Sequence, residues 1–92
     1  MKSILQDEKK CFLCNTVFNL HEHHIFFGSA NRKISEANGF KVWLCAYHHN
    51  MSNYSVHHDR KLDLLVKKVC QRKYEKTHSR DEVIKLIGRS YL

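Results

Sequence analysis

Two short ligand spacings, Cys11-x-x-Cys14 and Cys45-x-x-His48, constrain this chain more than anything else in it. Two intervening residues let both side chains of a pair reach one tetrahedral ion, so the pairs together offer the donor set that zinc takes in structural sites. The competing reading is a group of small apolar cysteines buried for packing, beside an unrelated histidine. Against it stands the length of 92 residues. A chain that short buries only roughly 60–70% of its unfolded surface, and such folds are commonly pinned by a disulfide or a metal. No βαβ pattern surrounds Cys11-x-x-Cys14, which disfavours a redox pair. Cys11, Cys14, Cys45 and His48 are therefore assigned to a structural zinc ion, and Cys70, which has no partner spacing, to the core.

One domain spanning residues 1–92 is expected. The apolar runs Ile25 to Phe27 and Val42 to Ala46 fall far short of the ~18 residues a bilayer span needs. Met1 to Glu8 has no signal-peptide apolar stretch, so a cytoplasmic protein without a membrane segment is expected. Sixteen Lys and Arg against nine Asp and Glu give a net charge of +7, which suits a polyanionic partner but also fits an ordinary solvated surface.

Residues 3 to 9 read as a short helix or an extended lead-in. Val17 to Leu20 and His23 to Phe27 read as short strands, with Ile25 and Phe27 on one face, and Lys41 to Cys45 as another, together forming a small antiparallel ribbon. From Asp59 to Glu75, Leu62, Leu65, Val66, Val69 and Cys70 recur at helical spacing and predict an amphipathic helix. Ser79 with Glu82 makes a capping box for a last helix that buries Val83, Ile84 and Ile87 and ends at Gly88, after which Arg89 to Leu92 is expected to pack back.

Eight histidines are present, several of them clustered. His21-Glu22-His23-His24-Ile25 is not H-E-x-x-H, because Ile25 occupies the second histidine position, and His21 follows Cys14 too closely for a C2H2 finger. Closing the zinc site brings the residues that flank the two knuckle halves together, so His23, His24 and His49 become neighbours. His21, His58 and His78 are read as surface residues.

The stretches His23-His24-Ile25-Phe26-Phe27-Gly28, Leu44-Cys45-Ala46-Tyr47-His48-His49 and Val56-His57, following Cys11-x-x-Cys14, resemble the HNH, or ββα-metal, endonuclease family over about Cys11 to His58. The likeness is to its small phage-borne members. The resemblance implies an α+β fold: a small ββα-metal domain with a zinc knuckle over about residues 11–58, followed by C-terminal helices over about 59–88. It implies that His23 binds a catalytic divalent ion such as Mg²⁺ or Mn²⁺, that His24 is the general base and that His49 is a further ligand. Asn53 or His57 supplies the next ligand, and His48 and His49 are interchangeable in this reading. The asparagine that braces the loop carrying the base is best matched by Asn38, with Asn31 as the alternative; the proline common soon after the histidine pair is absent.

Arg32 and Lys33, expected in a loop after the histidine pair, are the candidate phosphate contacts. Arg60, Lys61, Lys67, Lys68, Arg72 and Lys73 decorate the long helix and are as readily a solvated face. The implied function is hydrolysis of DNA phosphodiesters to 5′ phosphate and 3′ hydroxyl ends by a phage-encoded protein in the host cytoplasm. Two alternatives stay open: a non-catalytic zinc-stapled DNA-binding module, and a protein that engages a host or phage partner. A homodimer is open too.

Overall fold

Val42, Trp43 and Leu44 suit a pleated, half-buried surface, and Lys41–Cys45 forms strand β2 in the computed structural model, which describes all of residues 1–92. It pairs antiparallel with β1 (Leu20–His24), with Leu20 opposite Cys45, His23 opposite Val42 and His24 opposite Lys41. Side chains alternate across a pleated strand. His21 and His23 therefore share one face with Val42 and Leu44, while Leu20, Glu22 and His24 share the other with Lys41, Trp43 and Cys45.

Four helices accompany the ribbon: α1 (Ser29–Asn38), α2 (Ala46–His49), α3 (Arg60–Tyr74) and α4 (Arg80–Ile87). This is a mixed α+β arrangement, and no helix is long and apolar enough to cross a membrane. The capping residues act as their side chains dictate. Asp59 accepts from the Lys61 and Leu62 N–H groups at the start of α3, and Ser79 accepts from the Glu82 N–H at the start of α4. Gly88, at φ 88°, ends α4.

Several expectations need correction. The two strands expected over Val17 to Leu20 and His23 to Phe27 are one strand, because the chain turns at Asn19 (φ 53°) and leaves the ladder after His24. Val17 and Phe18 are exposed, and Ile25 and Phe26, rather than Ile25 and Phe27, are buried together. Residues 3 to 9 form no regular element. The segment carrying Arg32 and Lys33 is helix α1 rather than a loop. It is fastened by Ser35, whose buried hydroxyl donates to the Phe26 carbonyl at 2.7 Å and accepts from the Phe26 N–H at 3.2 Å. Leu65 and Ile84 are exposed, whereas Lys67, expected on the solvated face, is buried.

Ile25, Val42 and Leu44 share one apolar core with Val66 and Cys70 of α3 and Val83 of α4. Burial pushes the Cys70 thiol up to about 12, as suits an inert core residue. The C-terminal tail does pack back: the Tyr91 N–H donates to Gln71 Oε1 at 2.7 Å, and the Gln71 amide donates to Ser90 Oγ at 2.9 Å.

Gly39 caps α1 at φ 72°, and a Cβ there would stand 2.3 Å from the Lys2 carbonyl oxygen. Gly88 has the same handedness but nothing within 4 Å of such a Cβ. Gly88→Ala should therefore cost only the left-handed strain, roughly 1 kcal/mol, and Gly39→Ala distinctly more, since backbone must move. Urea unfolding of both variants measures this; equal losses would mean that the Lys2 contact carries no weight.

Candidate metal centres

The first centre is built where three chain segments meet. Cys11 and Cys14 sit on the N-terminal turn, Cys45 ends β2 and His48 lies on α2. All four cysteines are free thiols. The Cys14 and Cys45 sulfurs are 3.8 Å apart, Cys11 Sγ is 3.8 Å from His48 Nδ1, and Cys45 Sγ is 3.2 Å from the same nitrogen. A tetrahedral zinc with Zn–S near 2.3 Å would have ligand edges of about 3.8 Å between sulfurs and slightly less from sulfur to nitrogen. The four donors thus lie close enough to hold one metal ion, and the three-sulfur, one-nitrogen set fits zinc. Burial alone raises the Cys11 thiol, but N–H groups of Cys45, Leu13 and Cys14 and the Cys14 side chain outweigh it and leave Cys11 at about 6. A thiol already prone to ionise is a ready zinc ligand.

The second centre lies on the other face of the ribbon. His23, His49 and His57 present ring nitrogens within 4.8 Å of one another. His49 Nε2 and His57 Nε2 are 3.2 Å apart, close to the ~3.0–3.4 Å edge expected between imidazoles on one ion at 2.0–2.1 Å. His23 is 2% exposed and its Nε2 has no hydrogen-bond partner. A buried polar atom without a partner is costly, and a metal bond to the cluster would satisfy it. The residues present therefore fit a divalent ion. Burial pushes His23 down to about 3, aided by the His49, His57 and Lys67 charges, and burial with His57 and His21 holds His49 at about 4. Neutral imidazoles are the form that ligates metals.

Two residues read otherwise from the sequence belong to this centre. His21, taken as a surface residue, puts its Nδ1 2.9 Å from His49 Nδ1, so one ring donates to the other and fixes which His49 nitrogen faces the cluster. Lys67 donates to Asp63 Oδ2 at 2.8 Å and lies 4.2 Å from the centre of the Phe27 ring, which itself packs on His57. The signal for His21 was present: residues two apart on a strand share a face, so a strand that starts at Leu20 places His21 with His23.

His24 turns away from that cluster. Its Nε2 is 3.9 Å from a carboxylate oxygen of Glu22 and of Glu36, and Lys41 pairs with both acids. The Lys41 hydrogen bond holds the Glu36 carboxyl below its usual range. His24 opens into a surface hollow that Arg32 and Lys33 also line, so those two residues stand near it although they are helical. His57 brings a ring nitrogen to His23 and His49, and it is exposed, as Asn53 is. Asn38 ends α1 and donates its side-chain amide to the Ile34 carbonyl of its own helix at 2.9 Å. Compared with protein-family models, curated proteins and solved structures, the chain matches none of them.

Because His23 is neutral when folded and binds a proton when unfolded below its ordinary value of 6.5, its contribution to stability rises with pH. Stability should fall as pH drops from about 6.5 towards 3, by about 2 kcal/mol at pH 5 from this residue. Imidazole NMR shifts should show the His23 and His49 rings neutral at pH 5. A His23 ring that protonates near pH 6 would overturn the buried placement.

Proposed function

We propose that the chain is a metal-dependent DNA endonuclease of the HNH, or ββα-metal, type. The observation that carries this reading is the convergence of His23, His49 and His57 around an unpartnered His23 Nε2, immediately before a histidine that opens toward Arg32 and Lys33. The order of β1, β2 and α2, with the knuckle at its base, supports the ββα assignment, although α2 is a single turn and α1 intervenes between the strands.

In this reading His23, His49 and His57 hold the divalent ion, and His57 takes the position for which Asn53 was the competitor. When bound, the ion supplies positive charge against the scissile phosphate and the departing 3′ oxygen. His24 accepts a proton from the attacking water as the new phosphorus–oxygen bond forms. Glu22 and Glu36 place negative charge beside the ring while it carries that proton, and Lys41 offsets their repulsion of the incoming phosphate. The bond to the 3′ oxygen breaks, leaving 5′ phosphate and 3′ hydroxyl ends. Arg32 and Lys33 contact the backbone, which gives affinity without sequence reading. His21 positions His49.

Purified protein with one structural zinc should nick supercoiled plasmid only when Mg²⁺, Mn²⁺ or a similar ion is added. His24→Ala at equal zinc content should lose at least ~10²-fold in rate. Titration of Mn²⁺ should show ion affinity weakened at least about tenfold by His57→Ala and hardly changed by Asn53→Ala. Absence of cleavage with every ion and with branched DNA would replace the enzyme by a zinc-stapled binding module. Activity of the chain in its host that survives His24→Ala would favour an interaction protein.

A further inference from the structure

Beside the second centre the chain displays large apolar side chains that the core does not use. Tyr47, Met51 and Tyr54 are 51%, 73% and 65% exposed. The two tyrosine rings are nearly parallel, at 23° with centroids 6.2 Å apart, an offset-stacked arrangement, and the Tyr47 ring also meets the His48 ring at right angles with centroids 5.1 Å apart. Neither phenolic hydroxyl has a partner within the protein, whereas Ser52 pins the backbone between them by donating to the Tyr47 carbonyl at 2.8 Å and accepting from the Tyr54 N–H at 3.0 Å. The Val56 and His57 N–H groups then donate to the His48 and His49 carbonyls at 2.8 and 3.3 Å. These rings are held on fixed backbone, and Tyr47 is directly joined to a ligand of the zinc centre.

We propose that Tyr47 and Tyr54 form a stacking platform for unpaired nucleobases, so that the strand presented to the His23, His49 and His57 centre is single-stranded or locally unpaired DNA. The inference rests on the nuclease reading for its cleavage consequence, but the platform itself is a binding surface. Three features favour nucleobases as occupant. Base faces stack on aromatic rings whatever their sequence. The chain carries +7 net charge, which attracts the phosphates of the same strand. Tyr54 lies within, and Tyr47 just before, the segment that links His49 to His57, so the platform is borne by the stretch of chain that joins two residues of that centre. A base paired inside a duplex has its faces covered by its neighbours and cannot use such a surface.

The test is fluorescence anisotropy of the zinc-loaded full chain, without added catalytic ion, on three labelled oligomers of equal length: single-stranded DNA, duplex, and a strand whose residues are abasic. The wild type should bind the single strand more tightly than the abasic one, although the phosphates are the same. Tyr54→Ala, and more strongly Tyr47→Ala with Tyr54→Ala, should weaken single-strand binding by roughly five- to 150-fold and leave abasic binding unchanged. Tyr54→Phe should restore it, since the ring rather than the hydroxyl stacks. Zinc content reports whether Tyr47→Ala has disturbed the adjacent ligand. Equal loss on the abasic strand, or no loss, overturns the platform. A chain that sediments as a dimer and becomes monomeric in Tyr54→Ala overturns it too, because the rings would then cover a second copy. Stacking without plasmid cleavage keeps the platform and removes the nuclease, whereas cleavage without stacking does the reverse.

Discussion

Four donors at one point tie together parts of the chain that the small core alone would hold loosely. Cys11 and Cys14 belong to the irregular N-terminal turn, Cys45 to the end of β2 and His48 to the single turn of α2. Their spacing fits one zinc ion, and a metal–ligand set of that kind contributes folding energy outright. The second centre depends on it. Successive residues of a helix point about 100° apart, so once His48 faces the sulfurs, His49 is turned toward the ribbon histidines. The bonds from the Val56 and His57 N–H groups to the His48 and His49 carbonyls then carry His57 to the same place.

The ribbon separates two kinds of electrostatic environment. On one face, buried His23 and half-buried His49 are held neutral by burial and by the neighbouring ring and Lys67 charges, the state in which nitrogen lone pairs are free for a cation. On the other, His24 sits among Glu22, Glu36 and Lys41 at the edge of a basic hollow. Adjacent residues on one strand thereby occupy unlike surroundings at no cost in chain length. In the proposed reading, that division separates a metal ligand from a proton acceptor on one strand. Lys67 and Asp63 show the same economy: one ion pair within α3 closes the space between Phe27, Tyr91 and the histidine cluster.

Local sequence chemistry determined a good deal. The spacings of Cys11, Cys14, Cys45 and His48 named the donors of the first centre, since two intervening residues suffice whatever surrounds them. The helix of Arg60–Tyr74, the Ser79 cap and the Gly88 stop were legible because periodicity and capping act over one or two turns. Strand β2 was legible over its full length, Lys41–Cys45. Tertiary structure decided what depended on register and on facing. Whether a strand begins at Leu20 or His23 moves His21 from solvent to the side of His49, and no local preference selects between them. Helix α1 was hidden because its sequence has few apolar residues and is anchored through one buried hydroxyl, Ser35, to a carbonyl and an N–H of Phe26. Lys67 was hidden because a lysine on a helix reads as solvated until its partner Asp63 and the Phe27 ring are seen to enclose it. Donor identity is a property of short spacing, whereas the choice among histidines is made by which faces the folded chain turns inward.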